Sequence, residues 1–501
     1  MEIDFLKEII FASDKTTESK MIARKEANGT IRKIAPKIYS TNLLDSPESI
    51  IKRNLIQVLG WRLPGCVISH RSASSLRPTE NGNLFITYKF NRRIDNIPGI
   101  VLNVMKGPEA LDSDIRLGSA EVYASSEERW MLEVLQPARR GKDGESKGMS
   151  EKDVESRLEA MIRAGGEERI NAFRDKAKTI AETLGYIDEY KKLSALISAL
   201  LNTHDPSVLS TPEGIARSVG EPLDPSRIPI FEALYDALNG AYFPQMRDEN
   251  KSEEAFRMFS FFESYFSNYI EGTEFEISEA KQIVDTGITI PKRIEDSHDI
   301  LGTFNILSNR QEMQKTPGTE EEFLALLRHR HSKILELRPE CNPGMFKNKR
   351  NRAGNTEFVS PDLVIGTLKY GFRMYRNLRE PFAKAIFMMF ICSEVHPFTD
   401  GNGRISRVMM NAELVSVGQV RIIVPTVFRE DYLLALRRLS RAADPKPYVS
   451  VMERLWKFSS NLWGEDFYEL DAYLKSCNAY ETPENAKLRF IERIGKNCPL
   501  L

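Results

Sequence analysis

The stretch His396-Pro397-Phe398-Thr399-Asp400-Gly401-Asn402-Gly403-Arg404 decides the fold of the second half of the chain. An apolar run, Phe382–Val395, precedes it, and Ile405–Val417 follows it; both runs predict helices. The two glycines allow a sharp turn that aims backbone N–H groups at one point, beside the positive end of the second helix. The sequence therefore predicts an anion-binding loop between two helices.

Four side chains in and just after this loop suit a polyphosphate. Arg404 and Arg407 are three residues apart, so on a helix they share one face. Asp400 offers an oxygen ligand for Mg²⁺, and His396 is a base that can be neutral near pH 7. A loop between core helices with surface arginines would explain each residue singly. It would not explain the ordered set within twelve residues.

These residues fit the pattern HPFx[D/E]GNGRxxR at every defined position, so the chain resembles the Fic family over about residues 230–445. The resemblance implies a mainly α fold: an all-α core with a β-hairpin flap, preceded here by a small α/β region. It also implies transfer of AMP from ATP to a protein hydroxyl. In that reaction His396 would be the catalytic base and Asp400 the Mg²⁺ ligand. The loop residues expected to bind ATP are Gly401, Asn402, Gly403, Arg404 and Arg407.

A second similarity to the family lies upstream, in the segment Ser267-Asn-Tyr-Ile-Glu271-Gly272. Aromatic residues at helical spacing precede it and predict a core helix from about residue 253. The segment resembles the family's inhibitory helix, in which the glutamate pairs with the second arginine of the loop, here Arg407. We therefore expect Glu271, with Ser267, to be inhibitory. Taken alone, a glutamate before a helix-ending glycine is usually solvated.

Two more segments complete the expected site. Residues 347–358 predict a hairpin, and the family has a flap here that holds the target protein by strand addition. Ile422–Pro425 and Arg429–Tyr432 resemble the stretch lining the adenine side, so Tyr432 is expected to pack on the base. The basic residues of the flap either guide an acidic target or form a solvated loop: Lys347, Lys349, Arg350 and Arg352.

The N-terminal region contains a local excess of positive charge. Helices are predicted at Asp4–Ala12 and Lys20–Glu26, followed by a two-stranded wing at Ile31–Tyr39. Arg32–Asn42 together with Ile68–Ala73 resembles the winged-helix end of AbiE-type antitoxins. We expect weak DNA contact through residues 20–37, although a solvated basic face would have the same composition. The basic residues are Lys20, Arg24, Lys25, Arg32, Lys33 and Lys37.

Composition limits the remaining function classes. The 501 residues are 41% hydrophobic and 28% charged with a net charge of −1, so only local patches could attract nucleic acid. The five cysteines lack paired spacing and predict reduced thiols without a zinc site. No apolar run is long enough to cross a bilayer, and the N-terminus lacks a signal-peptide pattern. We expect a cytoplasmic protein without membrane association.

The region Thr203–Pro229 contains five prolines and little periodicity, which predicts a boundary between domains. The expected domains are a winged-helix-like domain at 1–75, an α/β then helical connecting domain at 76–202, a linker at 203–229, the Fic domain at 230–445 and a C-terminal helical segment at 446–501.

Taken together, the sequence predicts a nucleotidyltransferase of the protein adenylyltransferase type that uses ATP and Mg²⁺ and is inhibited by Glu271. The expected acceptors are a target protein docked on residues 347–358 and the enzyme itself. Two alternatives are open. The same pocket could remove AMP from a modified protein, or the chain could be an antitoxin- or transcription-type DNA-binding module with the Fic core as a sensor. Intact His396, Asp400 and both arginines argue against an inactive core.

Overall fold

The computed structural model describes residues 4–12, 15–139, 141, 144–354 and 356–493. The chain divides into two units, Met1–Val219 and Gly220–Leu501. The division falls inside the proline-rich segment that was expected to be a linker. Among the described residues, no helix combines the length and the apolar character needed to cross a membrane. The four cysteines in these ranges are buried with free thiols, and Cys498 lies outside them.

The first unit begins with a three-stranded antiparallel sheet in the order β1-β3-β2. Its β2 and β3 form the hairpin predicted for residues 31–39. The predicted helix at Asp4–Ala12 is wrong, because Ile9–Phe11 pair with β3 and bury Ile9 and Ile10. The elements are β1 (Ile9–Phe11), α1 (Thr16–Ala27), β2 (Arg32–Ala35) and β3 (Ile38–Ser40).

A six-stranded mixed sheet follows, in the order β6-β7-β5-β4-β9-β8. The central strand β4 pairs antiparallel with β5 and parallel with β9, so the segments on either side of residue 75 share one sheet. The elements are α2 (Pro47–Arg53), α3 (Leu55–Arg62), β4 (Cys66–Ile68), β5 (Asn83–Tyr88), β6 (Arg92–Ile97), β7 (Ile100–Lys106), β8 (Ile115–Arg116) and β9 (Val122–Ala124).

Helices complete the first unit and pack around Leu158, Ile170 and Ile197. Gly166 interrupts the longest of them with φ 70° and ψ −169°, a conformation open to glycine. The elements are α4 (Glu127–Val134), α5 (Glu151–Leu184), α6 (Ile187–Leu200) and α7 (Pro212–Ser218).

In the described part of the second unit the regular elements are helices and one short hairpin, which confirms the mainly α fold. Its helices are α8 (Ile228–Leu238), α9 (Glu253–Ile270), α10 (Ile277–Thr286), α11 (Ile294–Leu307), α12 (Arg310–Met313), α13 (Glu320–Ile334), α14 (Val364–Asn377), α15 (Pro381–Val395), α16 (Asn402–Ser416), α17 (Arg429–Ala442), α18 (Lys446–Ser459) and α19 (Phe467–Ser476). The hairpin strands are β10 (Arg352–Ala353) and β11 (Thr356–Glu357).

Helix α15 lies at the centre of the second unit. It is apolar around most of its circumference and almost wholly buried, as expected of a helix packed on all sides. The aromatic side chains of α9 join the same core, and Phe382 stacks on Trp456 of α18 with ring centroids 4.5 Å apart. This packing holds α15 in the core, and the loop of residues 396–401 leads from its C-terminal end into α16.

Candidate active site

His396 ends α15 with φ 53°, a left-handed conformation that turns the chain into the loop. Its ring stacks on Phe358 with centroids 3.7 Å apart and an interplanar angle of 6°. Nδ1 lies 3.4 Å from the carbonyl oxygen of Ser393. Burial lowers the pKa of His396 to about 4, and the nearby Lys347 ammonium acts in the same direction. The imidazole is therefore neutral at pH 7 and able to accept a proton.

Lys347 lies beneath the loop and not on the flap surface. Only 5% of the residue is exposed, and its Nζ donates to Asn351 Oδ1 at 2.6 Å. Its backbone N–H donates to the carbonyl oxygen of Pro397 at 2.9 Å. Burial lowers the pKa of Lys347 to about 8, with Arg227 adding to the effect. Lys347 is therefore neither solvated nor available to guide an acidic target, so neither interpretation of the basic flap residues applies to it.

The side chain of Asn402 shapes the loop from within. Its Oδ1 accepts the N–H of Phe398 at 2.8 Å, and its Nδ2 donates to the Phe398 carbonyl oxygen at 2.8 Å. Both ends of the amide are used within the loop and the residue is 2% exposed, so the contact of Asn402 with a nucleotide stays a prediction that only its backbone N–H could fulfil. The backbone N–H groups at the start of α16 are what the loop presents to an anion.

His331 supports the same loop, a role that the sequence did not reveal. Its ring stacks on Phe398 at 3.6 Å, and its Nδ1 accepts the N–H of Gly344 at 2.9 Å. The proton is therefore on Nε2, which donates to the carbonyl oxygen of Asp400 at 2.9 Å. Because His331 lies on α13, it fixes the loop from 69 residues away.

Asp400 has the properties of a ligand for a hard cation. Its Oδ1 accepts the N–H of Gly401 at 2.7 Å, and 48% of the side chain is exposed. Burial opposes ionisation, but Arg404, the Gly401 N–H and Arg338 together hold the pKa of Asp400 below its ordinary value. Among the described residues no group of three or more metal-ligating side chains occurs. One accessible carboxylate fits Mg²⁺ that also binds phosphates and water.

The two arginines of the loop are held by different partners. Arg404 Nη1 lies 2.6 Å from Asp299 Oδ2 on α11, and both side chains are buried. Asp299 also accepts Arg338 at 3.1 Å. Asp299 thus fixes the direction of Arg404. The two residues are more than 100 positions apart in the chain, so no local pattern could reveal their pairing.

Arg407 meets the end of α9. Its Nη2 donates to Glu271 Oε1 at 2.6 Å and to the Ser267 carbonyl oxygen at 2.8 Å, and its Nε donates to Ser267 Oγ at 2.9 Å. Arg407 is 5% exposed, whereas the Glu271 side chain is 33% exposed. Burial opposes the charge, but Glu271 holds the pKa of Arg407 above its ordinary value. The structure brings together the three residues that the family resemblance linked.

The Glu271 carboxylate also lies against the start of α16. A Cβ added at Gly403 would be 2.0 Å from Glu271 Oε1 and 2.7 Å from its Cδ. Gly403 therefore makes room for the carboxylate, which lies beside the backbone N–H groups suited to phosphate.

Gly403→Ala tests this close approach through stability alone. In an otherwise unchanged chain, we expect Gly403→Ala to lower the free energy of unfolding, because the added Cβ displaces the Glu271 carboxylate from Arg407. In the Glu271→Gly background we expect it to be neutral or mildly stabilising, since alanine restricts the unfolded chain. The two effects should differ by about 1 kcal/mol in a double-mutant cycle of urea unfolding. Additive effects would show that the carboxylate does not occupy this position.

Part of this set faces one cavity of about 650 Å³, whereas Asp400, Gly401, Asn402 and Arg404 are not among the residues that line it. Tyr432 on α17 is 2% exposed and forms part of its wall. Ile422–Pro425, expected on the adenine side, do not line it: they are buried, and Asn411 binds both backbone groups of Ile422. The expected site residues that line the cavity are Glu271, His396, Gly403, Arg407 and Tyr432.

Known proteins resemble this half of the chain. The Fic/DOC family model matches residues 321–414. Protein adenylyltransferase Fic of Drosophila persimilis is 27% identical over 240 residues, covering 46% of this chain and 45% of the relative. Protein adenylyltransferase fic-1 of Caenorhabditis elegans is 24% identical over 240 residues, covering 47% of each. The chain spans about half the length of the curated relatives it matches.

Among solved structures, a Fic domain-containing signalling protein from Bacteroides thetaiotaomicron aligns with a TM-score of 0.38 at 21% identity. The alignment covers 47% of this chain and 94% of that one.

Proposed function

We propose that this chain, which carries a Fic/DOC family domain in residues 321–414, is a protein adenylyltransferase that transfers AMP from ATP to a Ser, Thr or Tyr hydroxyl. The observation that carries the proposal is the convergence of a neutral His396, the start of α16 and Arg407 on one cavity. The relatives named as protein adenylyltransferases support the same reaction.

In this reaction the target hydroxyl attacks the α-phosphorus while His396 accepts its proton. A bond forms between the hydroxyl oxygen and the α-phosphorus, and the bond to the bridging oxygen of pyrophosphate breaks. Backbone N–H groups at the start of α16 and the Arg404 guanidinium hold the phosphate oxygens as charge moves to the leaving group. Mg²⁺ held by Asp400 would neutralise part of that charge.

We further propose that Glu271 inhibits transfer by occupying Arg407. Arg407 would otherwise bind the γ-phosphate, so its pairing with Glu271 leaves ATP without that contact and places a carboxylate nearby. The nucleotide could still bind through the remaining groups, but with its α-phosphorus out of line. A displacement of about 1 Å can lower a rate roughly a hundredfold.

Labelled ATP tests the reaction class. With the Glu271→Gly variant and Mg²⁺, label from the α-phosphate should enter protein and label from the γ-phosphate should not. Incorporation of γ-label would show phosphotransfer and overturn the proposal.

The low pKa of His396 predicts an unusual pH profile for transfer. A base works in its neutral form, which persists above a pKa of about 4. We therefore expect the rate of the Glu271→Gly variant to stay level from about pH 8 to about pH 5, and to fall only as the pH approaches 4. Initial rates across this range measure the profile. An acid limb centred near the ordinary histidine value of 6.5 would contradict the burial argument.

AMP removal is a second candidate, because the one-third-exposed Glu271 lines the same cavity and could orient a water molecule. Protein first labelled with AMP by the Glu271→Gly variant provides the substrate. Release of AMP by the unchanged protein, and not by Glu271→Gly, would establish this activity. Retention of the label by both proteins would exclude it.

The target protein is proposed to dock on residues 347–358, of which Asn355 lies outside the described residues. The β10–β11 hairpin carries exposed backbone and the exposed Arg350 and Arg352; Arg350 pairs with Glu357 at 3.2 Å. On α17, Arg441 Nη2 reaches Thr356 Oγ1 at 3.1 Å, so this helix borders the same surface. Self-modification would use a hydroxyl of a second copy or of a nearby segment.

We propose that the exposed basic residues between positions 20 and 37 contact DNA. Lys20, Arg24, Lys33 and Lys37 are exposed, whereas Arg32 is turned inward, with Nε donating to the Asn42 carbonyl oxygen at 3.0 Å. We expect reversal of Lys20, Arg24 and Lys33 to glutamate in the full chain to weaken duplex binding. The slope of log K against log salt should fall by about 3.

The matched control for the DNA experiment reverses three exposed lysines on α5 and α6, Lys178, Lys191 and Lys192. Equal binding by both triple variants would mean that residues 20–37 do not contact DNA.

A further inference from the structure

The cavity extends beyond the groups assigned to the phosphates. Tyr432, Leu436 and Ser440 are four residues apart on α17 and all three line it, so the cavity runs along two turns of one helix face. At 1.5 Å per residue, this row spans about 12 Å. Tyr432 marks the end near Arg407, since the charge of Arg407 acts on its phenol. With the γ-phosphate at Arg407, Tyr432 lies at the phosphate end, which does not agree with the expected packing of Tyr432 on the base. Ser440 marks the other end.

A buried carboxylate lies at the Ser440 end. Glu394 is in the last turn of α15, two residues before His396, and its side chain is 5% exposed. Arg227 Nη1 lies 2.9 Å from Glu394 Oε1, and Ser440 Oγ donates to the same oxygen at 3.1 Å. Within the described part of the chain no group donates a hydrogen bond to Oε2, although Glu394 forms part of the cavity wall.

Glu394 therefore presents one fixed hydrogen-bond acceptor, Oε2, to the cavity. Burial raises the pKa of Glu394, whereas Arg227 and Ser440 act against that rise by holding Oε1. These two contacts fix the carboxylate plane and leave Oε2 for a ligand. Oε2 is open to the cavity and is not one of the buried atoms that lack a partner. A ligand that covers it without supplying a donor removes it from water at a cost, so a ligand that supplies an N–H group there gains relative to one that does not. None of the steps proposed for AMP transfer uses Glu394.

The position of Glu394 limits which part of a nucleotide can reach it. When the phosphates lie at Arg407 and the start of α16, the base is the part that extends along α17. Adenine carries an exocyclic amino group with two N–H donors. Hypoxanthine, the base of inosine triphosphate (ITP), carries a carbonyl oxygen at the same position, which a carboxylate repels.

We propose that Glu394 is a specificity-determining residue that accepts a hydrogen bond from the exocyclic amino group of adenine, an inference that rests on the proposed nucleotidyl transfer. Arg227 and Ser440 act through Glu394 as positioning residues. Because ITP would place a carbonyl oxygen against Oε2 and leave this acceptor without a donor, ATP should be preferred to ITP by roughly tenfold to a hundredfold in affinity.

The test measures binding, so it does not depend on catalysis. The parent is the Glu271→Gly/His396→Ala double variant, which frees Arg407 and cannot transfer AMP. Dissociation constants for ATP and for ITP are measured by calorimetry in this parent and after adding Glu394→Gln. The glutamine oxygen should take the place of Oε1 toward Arg227 and Ser440, which turns its amide N–H₂ toward the cavity. That group repels the adenine amino group and donates to the hypoxanthine oxygen.

We therefore expect the parent to prefer ATP and Glu394→Gln to lose or invert that preference, while the melting temperature shows that the fold persists. The control, Glu430→Gln on the exposed first turn of α17, should leave the preference unchanged. Equal weakening of ATP and ITP by Glu394→Gln, or an unchanged ratio, would overturn the inference and leave Glu394 a purely structural partner of Arg227.

The outcome also separates this inference from the proposed function. Suppose that Glu394→Gln loses the ATP preference but the Glu271→Gly single variant transfers no AMP. That result would support the contact between Glu394 and the base and would overturn the proposed adenylyltransferase activity. Absence of binding by the parent to either nucleotide would overturn both.

Discussion

The Glu271→Gly variant is expected to transfer AMP about a hundredfold faster than the unchanged protein, with itself among the products. The physical reason is competition for Arg407, which is 5% exposed and requires a partner for its charge. Glu271 belongs to the same chain, so it is always present at high effective concentration. Its removal leaves Arg407 and the space beside Gly403 for the γ-phosphate, and the α-phosphorus can then align with the hydroxyl. Initial rates of α-label incorporation measure the effect.

Two controls separate relief of inhibition from general loosening. Glu274→Gly removes an exposed carboxylate three residues further on and should leave the rate unchanged. Arg407→Ala also breaks the pair with Glu271, but it removes the phosphate contact as well and should not activate. If Glu271→Gly and the unchanged protein incorporate label equally, Glu271 is not inhibitory.

His396→Ala, made in the Glu271→Gly background, is expected to lower the transfer rate by about 10²–10⁴. The neutral imidazole lies at the mouth of the loop, and no other base is proposed for the target hydroxyl. Nucleotide affinity should change little, because the anion contacts come from α16 and the arginines. Measurement of both the rate and the dissociation constant for ATP distinguishes a lost base from a lost binding site.

The control for this substitution is His329→Ala, an exposed histidine on α13. It should leave the rate unchanged. Transfer by His396→Ala at the parent rate would show that another group accepts the proton.

The loop of residues 396–407 could be predicted from sequence because its chemistry is local. The glycine turn, the helix start and the spacing of Arg404 and Arg407 all follow from neighbouring residues. The pairing of Glu271 with Arg407 spans 136 residues and came only from the family resemblance. The position of Tyr432 on the cavity wall came from the same source.

The supporting residues could not be predicted because their roles exist only in three dimensions. Asp299, His331 and Lys347 reach the loop from other elements and carry no local pattern that distinguishes them from surface charges. Asn402 shows the opposite case: its place in the motif suggested a ligand contact, whereas its side chain is used by the backbone of Phe398.

The N-terminal error has a simple physical cause. Ile9-Ile10-Phe11 is a short apolar run, and such runs do not distinguish a helix from a strand. The strand forms because β3, about 30 residues later, supplies hydrogen-bond partners and both isoleucines become buried.

The central claim is that this chain transfers AMP to a protein hydroxyl, with His396 as the base that accepts the hydroxyl proton. The most direct measurement is the intact mass of Glu271→Gly after incubation with ATP and Mg²⁺, compared with Glu271→Gly/His396→Ala, followed by mapping of the modified residue. We expect an added AMP on a Ser, Thr or Tyr in the first protein and none in the second. An added phosphate, or an AMP adduct that persists without His396, would contradict the account.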